Sequence, residues 1–337
     1  MFLGHGDDGY RHNKEIVADF STNVWHGGAP DGLKDYIFNH WNKVEKYPEV
    51  LGESLIEKIS LHYGFSETNI LVTSGTTESI YLIAQAFKAK KSTVVIPAFA
   101  EYEDACHLNG HELSFLDWQY LSPDMRLDTD LLFVCNPNNP TGEVFHDMEQ
   151  LFALNPGVIF VLDEAFIEFT HAITSVIHLI NKYDNLVVMR SMTKAYAIPG
   201  LRLGYIAAAS GLITRFKAVK LPWTVNTMAL QAGHFIFDHY ASIAVPLTAL
   251  LRDKEEFISG LTGSPLKVFP SHAHFFIAET LQQSPALLKR FLLEEFDILI
   301  RDASNFRGLG KGFIRLATLS RDKNQLLINA LSEWKHI

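Results

Sequence analysis

The chain has 337 residues, 47% of them apolar and 20% charged, enough to bury a large core and divide it between two domains. Its 38 acidic residues outnumber its 29 basic ones for a net charge of -9, and no long basic run offsets them, which argues against nucleic acid as a partner. Two cysteines, Cys106 and Cys135, are too few for a disulfide framework and lack metal-ligand spacing. The opening residues do not read as a secretory signal, and no apolar run approaches the roughly 18 residues of a spanning helix. The expectation is a cytoplasmic protein with no metal site and no membrane contact.

Residues 1–45 read as an N-terminal arm that completes part of a smaller domain. Residues 46–232 read as a large domain. There, short apolar runs without alternation at 69–75, 93–99, 130–137, 157–166, 185–191 and 203–210 predict strands buried on both faces. Segments 77–90 and 100–110 carry helical periodicity, the second ending at Gly110 as a cap. This alternation predicts an α/β fold around a mostly parallel sheet, with functional residues at the carboxyl ends of the strands. From 233 to 337 a long helical stretch, broken near Pro246, leads into an α+β pattern that reads as a small C-terminal domain. No repeats or low-complexity tracts interrupt it.

Four stretches carry chemistry. In SMTKAYAIPGLRLGY, residues 191–205, Lys194 follows an apolar run, with Ser191 three residues before it and Arg202 eight after. A lysine at a strand end beside a guanidinium can serve as an amine nucleophile, and Ser191 with Arg202 suits a phosphate held nearby. In VTSGTTES, residues 72–79, a strand gives way to a helix whose first N–H groups, at Gly75, Thr76 and Thr77, can hold an anion; the same residues can simply cap the helix. In CNPNNPTG, residues 135–142, two prolines and a glycine fix a turn that presents the Asn139 amide to a ring oxygen. In VLDEAFIEF, Asp163 ends an apolar run, where a carboxylate must be paired or functional, and facing a heteroaromatic nitrogen it would keep that nitrogen protonated. Phosphate, ring oxygen, ring nitrogen and an aldehyde for the lysine together describe pyridoxal 5'-phosphate.

The ordered strings SGTTE, NPNNPTG, DEAF and SxTKxxxxPGLRxGY resemble the class I/II aminotransferase family of fold type I pyridoxal-phosphate enzymes over essentially the whole chain. The resemblance implies a seven-stranded, mostly parallel sheet in the large domain beside the smaller α+β domain. It places Phe99 on the face of the cofactor ring, where the alternative is a core phenylalanine. It also gives Tyr47 to the cofactor phosphate of a neighbouring subunit, hence a homodimer with shared sites, and Arg315 to a substrate carboxylate. Where the family commonly has tyrosine three residues after the aspartate, this chain has Phe166. One donor fewer to the ring oxygen should raise the pKa of the nitrogen joining Lys194 to the cofactor; a spectrophotometric titration in which Phe166→Tyr fails to lower that pKa would sink the idea.

Within the family, DFSTNVWHGG, PAFAEYE and LIRDASNFRGLGKGFIRLA resemble the branch acting on phosphorylated amino compounds. Decarboxylation of L-threonine O-3-phosphate in cobalamin biosynthesis is the first implied activity, and transamination of histidinol phosphate with 2-oxoglutarate is the alternative. Arg301 and Arg315, fourteen positions apart, suit a substrate with both phosphate and carboxylate, and Asn23 and His5 are candidates to enclose it.

Overall fold

The structure, a computed structural model, describes residues 8–12 and 14–334. After strand β1 (Ala18–Asp19) come helices α1 (Leu33–Asn39) and α2 (Glu53–Tyr63). Strands and helices then alternate through β2 (Ile70–Thr73), α3 (Gly75–Ala86), β3 (Lys91–Ile96), α4 (Glu101–Leu108), β4 (Glu112–Asp117), β5 (Leu131–Cys135), α5 (Met148–Leu154) and β6 (Ile159–Asp163). Next are β7 (Leu186–Ser191), β8 (Gly204–Ala208), α6 (Ser210–Lys217), α7 (Thr227–Asp238) and α8 (Leu247–Gly260). The chain ends in β9 (Leu266–Val268), β10 (Phe275–Thr280), α9 (Pro285–Phe296), β11 (Ile298–Leu299), β12 (Arg301–Asp302), β13 (Phe313–Ala317) and α10 (Arg321–Trp334).

Strands β2 to β8 form one seven-stranded sheet in the order β2-β8-β7-β6-β5-β3-β4. Only β8 runs against its neighbours. Strands β2, β5, β7 and β8 are buried at every position, as their unalternated apolar runs predict for a sheet covered on both faces. Each buried Leu, Ile, Val or Phe contributes about 1.5–3 kcal/mol, so the sheet is a rigid base for the loops at its carboxyl edge. Strand β4 has mostly exposed residues and no apolar run, so it escapes a search for such runs; it is made by pairing along the whole of β3.

The small domain is an antiparallel sheet ordered β12-β13-β10-β9. Phe257 of α8, Leu288 and Leu292 of α9, and Leu327 and Trp334 of α10 pack with Phe276 and Leu316 of that sheet. Strand β1 pairs in parallel with β11, which brings Ala18 and Phe20 into the same core. Leu33 of α1 joins the large core instead, so the arm expected at 1–45 is divided between the two. The expected boundary between 232 and 233 falls inside α7, whose Ala229, Ala232 and Ile236 belong to the large core. The apolar composition after residue 230 marks a helix buried on most sides rather than a change of domain. The helical stretch breaks where expected, with Pro246 at the start of α8.

Candidate active site

A cavity of about 630 Å³ lies at the carboxyl ends of β5, β6 and β7, with walls from both domains. Five cationic side chains line it, Lys194, Arg202, Arg301, Arg307 and Arg315, against two acidic ones, Glu103 and Asp163. In a chain of net charge -9, that surplus marks a place built for anions.

One end is set by the turn from β2 into α3. Gly75 has φ +79°, and a Cβ there would come within 2.7 Å of Arg202 Nη2, so the guanidinium lies against the first turn of the helix. The Ser74 side chain makes no cap, which leaves the N–H groups of that turn to an anion; Thr76 and Thr77 line the cavity. Both oxygens of Glu78 are occupied, one by the Ser74 N–H at 2.5 Å and one by Lys220 at 2.7 Å. Arg202 itself has φ +60° and donates to the Pro199 carbonyl at 3.0 Å. Ser191 is buried beside this end, but its hydroxyl pairs with Thr193 at 2.9 Å, and Thr193 is the residue that lines the cavity.

The middle holds Asp163, at the end of β6. Its Oδ2 accepts from the Tyr102 hydroxyl at 2.7 Å and its Oδ1 from the Ala165 N–H at 2.8 Å. Burial pushes the carboxyl pKa up, opposed by Tyr102, Ala165 and the charge of Lys194. Tyr102 is itself fully buried on α4, and burial with Asp163 alongside raises its own pKa well above the ordinary range, so it stays a donor. Phe99 lines the wall 6.2 Å from Tyr102, edge-on to it. Lys194 lines the cavity past the end of β7, and its backbone carbonyl accepts from the Trp25 N–H at 2.9 Å, which ties the N-terminal segment to the lysine. Phe166 also lines the cavity, with its ring 4.9 Å from Phe275.

The third part comes from the small domain. Arg301 and Arg315 face each other in register across β12 and β13, both buried. Arg315 Nη1 donates to Asn139 Oδ1 at 2.5 Å and Nη2 to the Ser21 carbonyl at 2.6 Å, while its Nε has no hydrogen-bond partner among the described residues. An arginine only donates, so the Asn139 oxygen must face it, and the Asn139 NH2 is left to donate elsewhere. Burial, with the Arg301 charge beside it, lowers the Arg315 pKa to about 9, which strongly favours an anion between the two. Arg301 Nη2 donates to Asn305 Oδ1 at 2.8 Å. Asn23 lines the same end, and neither its Nδ2 nor its Oδ1 has a hydrogen-bond partner among the described residues. His274 is buried nearby, its ring 3.8 Å from that of Phe169. Unsatisfied buried polar groups are costly, and the Asn23 side chain and the Arg315 Nε lie where a polar ligand would complete them.

Lys194, Asp163, Asn139, Thr76, Thr77, Phe99, Arg202, Arg301, Arg315 and Asn23 therefore share one cavity, with Gly75 and Ser191 directly behind it. Tyr47 is not brought to it: the side chain is 84% exposed and lies 5.2 Å from the Trp223 ring. His5 lies outside the described residues. An anion cradle, an aromatic wall, a buried carboxylate, an amide donor and an amine fit pyridoxal 5'-phosphate. Tyr102 is the functional neighbour that the motifs did not reveal; its position three residues after Phe99, on the first turn of the helix beside the cavity, is the signal that could have found it.

The sequence comparisons agree with this geometry. The family model for aminotransferase class I and II matches residues 25–331. The threonine-phosphate decarboxylase of Salmonella typhimurium is 32% identical over 335 residues, covering 94% of this chain and 90% of that one. A histidinol-phosphate aminotransferase of Caldanaerobacter subterraneus subsp. tengcongensis is 31% identical over 305 residues, covering 86% and 84%. The crystal structure of L-threonine-O-3-phosphate decarboxylase from Porphyromonas gingivalis superposes with a TM-score of 0.91 at 36% identity, over 95% of this chain and 100% of that one. With the motifs gathered on one cavity and the match running through both domains, the chain belongs to the aminotransferase class I and II family.

Proposed function

We propose that this protein decarboxylates L-threonine O-3-phosphate to (R)-1-amino-2-propanol O-2-phosphate, with pyridoxal 5'-phosphate as cofactor, in the service of cobalamin biosynthesis. The observation that carries this reading is the pair of buried arginines on neighbouring strands, Arg301 and Arg315, supplied by the small domain and separate from Arg202 at the first turn of α3. One cationic site serves the cofactor phosphate, and the second suits a substrate with its own phosphate and carboxylate. The decarboxylases at 32% and 36% identity support this reading over the aminotransferase.

When bound, pyridoxal 5'-phosphate would supply an electron sink for the pair left as the Cα–carboxylate bond breaks and carbon dioxide departs. Asp163, oriented by Tyr102 and the Ala165 N–H, holds a proton at the ring nitrogen. Asn139, its oxygen taken by Arg315, donates its NH2 to the ring oxygen. Thr76, Thr77 and Arg202 hold the cofactor phosphate, and Phe99 covers the ring. Arg301, Arg315 and Asn23 orient the substrate. The Lys194 amine would hold the cofactor before substrate arrives and, once released and protonated from solvent, would deliver to Cα the one proton that replaces the departing carboxylate.

We further propose a homodimer. Tyr47, Trp223, Val50, Phe38, Trp41 and Leu221 are large exposed apolar side chains. Trp223 is bonded through its N–H to the Val50 carbonyl and Phe38 is stacked on Trp41, an arrangement suited to a second copy that receives Tyr47 at its cofactor phosphate. The cytoplasm suits the two buried free thiols. Among the described residues no helix is long and apolar enough to cross a membrane.

The test is turnover. Cofactor-loaded protein is incubated with L-threonine O-3-phosphate and no keto acid, and carbon dioxide and aminopropanol phosphate are assayed. Repeated turnover is expected. A single bleaching of the cofactor without carbon dioxide would overturn the decarboxylase in favour of transamination, because an aminotransferase without an acceptor stops after half a reaction.

A further inference from the structure

Between β12 and β13 the chain crosses the mouth of the cavity, carrying Asn305, Phe306 and Arg307. Arg307 reaches out of the small domain. Its Nε donates to Glu103 Oε2 at 2.9 Å and its Nη2 to Glu103 Oε1 at 2.7 Å, and Glu103 stands on the first turn of α4 in the large domain. The same guanidinium lies 4.2 Å over the ring of Phe115 on β4. A two-pronged fork seated on an aromatic face fixes direction as well as distance. His107 Nε2 approaches Glu103 Oε1 at 3.5 Å, and the Arg307 guanidinium is the main cause holding the Glu103 carboxyl below its usual range. The neighbouring Gly308 has φ +81°, and a Cβ there would sit 3.0 Å from Ile96 Cδ1, so the loop is seated on the end of β3. On its other side the loop meets the substrate end: Asn305 accepts from Arg301, and the Phe306 ring lies 5.3 Å from the Arg301 guanidinium.

We propose that Arg307 is a positioning residue: paired with Glu103, it latches the 303–309 loop across the cavity mouth and thereby sets Arg301 for the substrate, without touching the bond that breaks. The effect on substrate rests on the reading above, in which Arg301 meets the phosphorylated amino acid. The latch itself is independent of which substrate binds.

The experiment compares the holoenzyme with Arg307→Ala, Glu103→Gln and the double variant Arg307→Glu with Glu103→Arg. Hydrogen exchange at the Phe306 and Leu309 amides, which bond to the Ala303 and Phe306 carbonyls, is read without substrate. KM and kcat for L-threonine O-3-phosphate are read in parallel. Both single variants should quicken exchange and raise KM by about two- to fivefold with kcat unchanged, and the swapped pair should restore both readings toward wild type. Added salt should narrow the gap between wild type and the single variants. Unchanged exchange in both single variants would overturn the latch. So would a raised KM in Arg307→Ala that Glu103→Gln does not share and the swap does not rescue, since that pattern means direct contact with substrate. If exchange quickens as expected but the wild type does not turn over threonine phosphate, the latch stands and the substrate assignment falls.

Discussion

The two ends of the cavity are built differently. At the cofactor end the groups that matter already have protein partners: Asp163 is held by Tyr102 and Ala165, Arg202 is pinned against Gly75 and the Pro199 carbonyl, and Ser191 is closed on Thr193. At the end proposed for the substrate, the Asn23 side chain and the Arg315 Nε are buried with no hydrogen-bond partner among the described residues. A cofactor that stays resident is met by a pre-organised frame, whereas a substrate that comes and goes is met by polar groups it must itself satisfy.

Changing the cofactor end should cost most. Gly75→Ala forces an L side chain to φ +79° and drives its Cβ to 2.7 Å from Arg202 Nη2. Displacing a charged donor from a phosphate should weaken cofactor binding on the order of a hundredfold, measured by absorbance titration of the apo protein, with circular dichroism confirming the fold. An unchanged affinity would remove Arg202 from the phosphate site.

Tyr102→Phe is a finer probe of the same end. It leaves a buried carboxylate short of a donor, a loss of about 1–3 kcal/mol, and the variant should destabilise the apo protein more than the loaded one, where a protonated ring nitrogen compensates. Scanning calorimetry with and without cofactor reads this. Equal losses in both states would mean that the Tyr102 hydroxyl supports Asp163 independently of the cofactor, and no loss in either would mean that Tyr102 only fills space.

The third effect belongs to His274, buried behind the substrate end, and is a slope. Burial holds the His274 pKa at about 3 against an ordinary 6.5, with Arg315, His26 and Lys194 adding to the shift and the Asn23 backbone opposing it. Between those values the unfolded chain takes up a proton that the folded chain refuses, so stability falls as pH drops through this window, by up to about 1.4 kcal/mol per pH unit. His274→Phe should flatten that acid branch in urea titrations run from neutral to acidic pH. A slope identical to wild type would show that His274 is already protonated in the folded state.

Legibility follows the same division. The large sheet could be read because its strands are short unbroken apolar runs, and the residues proposed for the cofactor could be picked out because each lies in a local string at a strand end: Gly75 after β2, Asn139 after β5, Asp163 at the end of β6, Lys194 after β7. Strand β4 could not, because its existence depends on pairing with β3 rather than on its own pattern. Tyr102 finds Asp163 across 61 residues and Arg307 finds Glu103 across 204, and no local periodicity encodes such contacts. The boundary placed at 232 failed for a related reason: α7 is apolar because it is packed between α1 and α2, not because a domain ends there.

The central claim is that the cavity holds two anion sites, one for the cofactor and one for a phosphorylated amino acid. Its most direct test is carbon dioxide release by the holoenzyme from L-threonine O-3-phosphate and from L-threonine, compared as kcat/KM. A preference for the phosphorylated substrate on the order of a thousandfold, collapsing in Arg301→Ala, is the predicted result. Equal rates with the two substrates would contradict it.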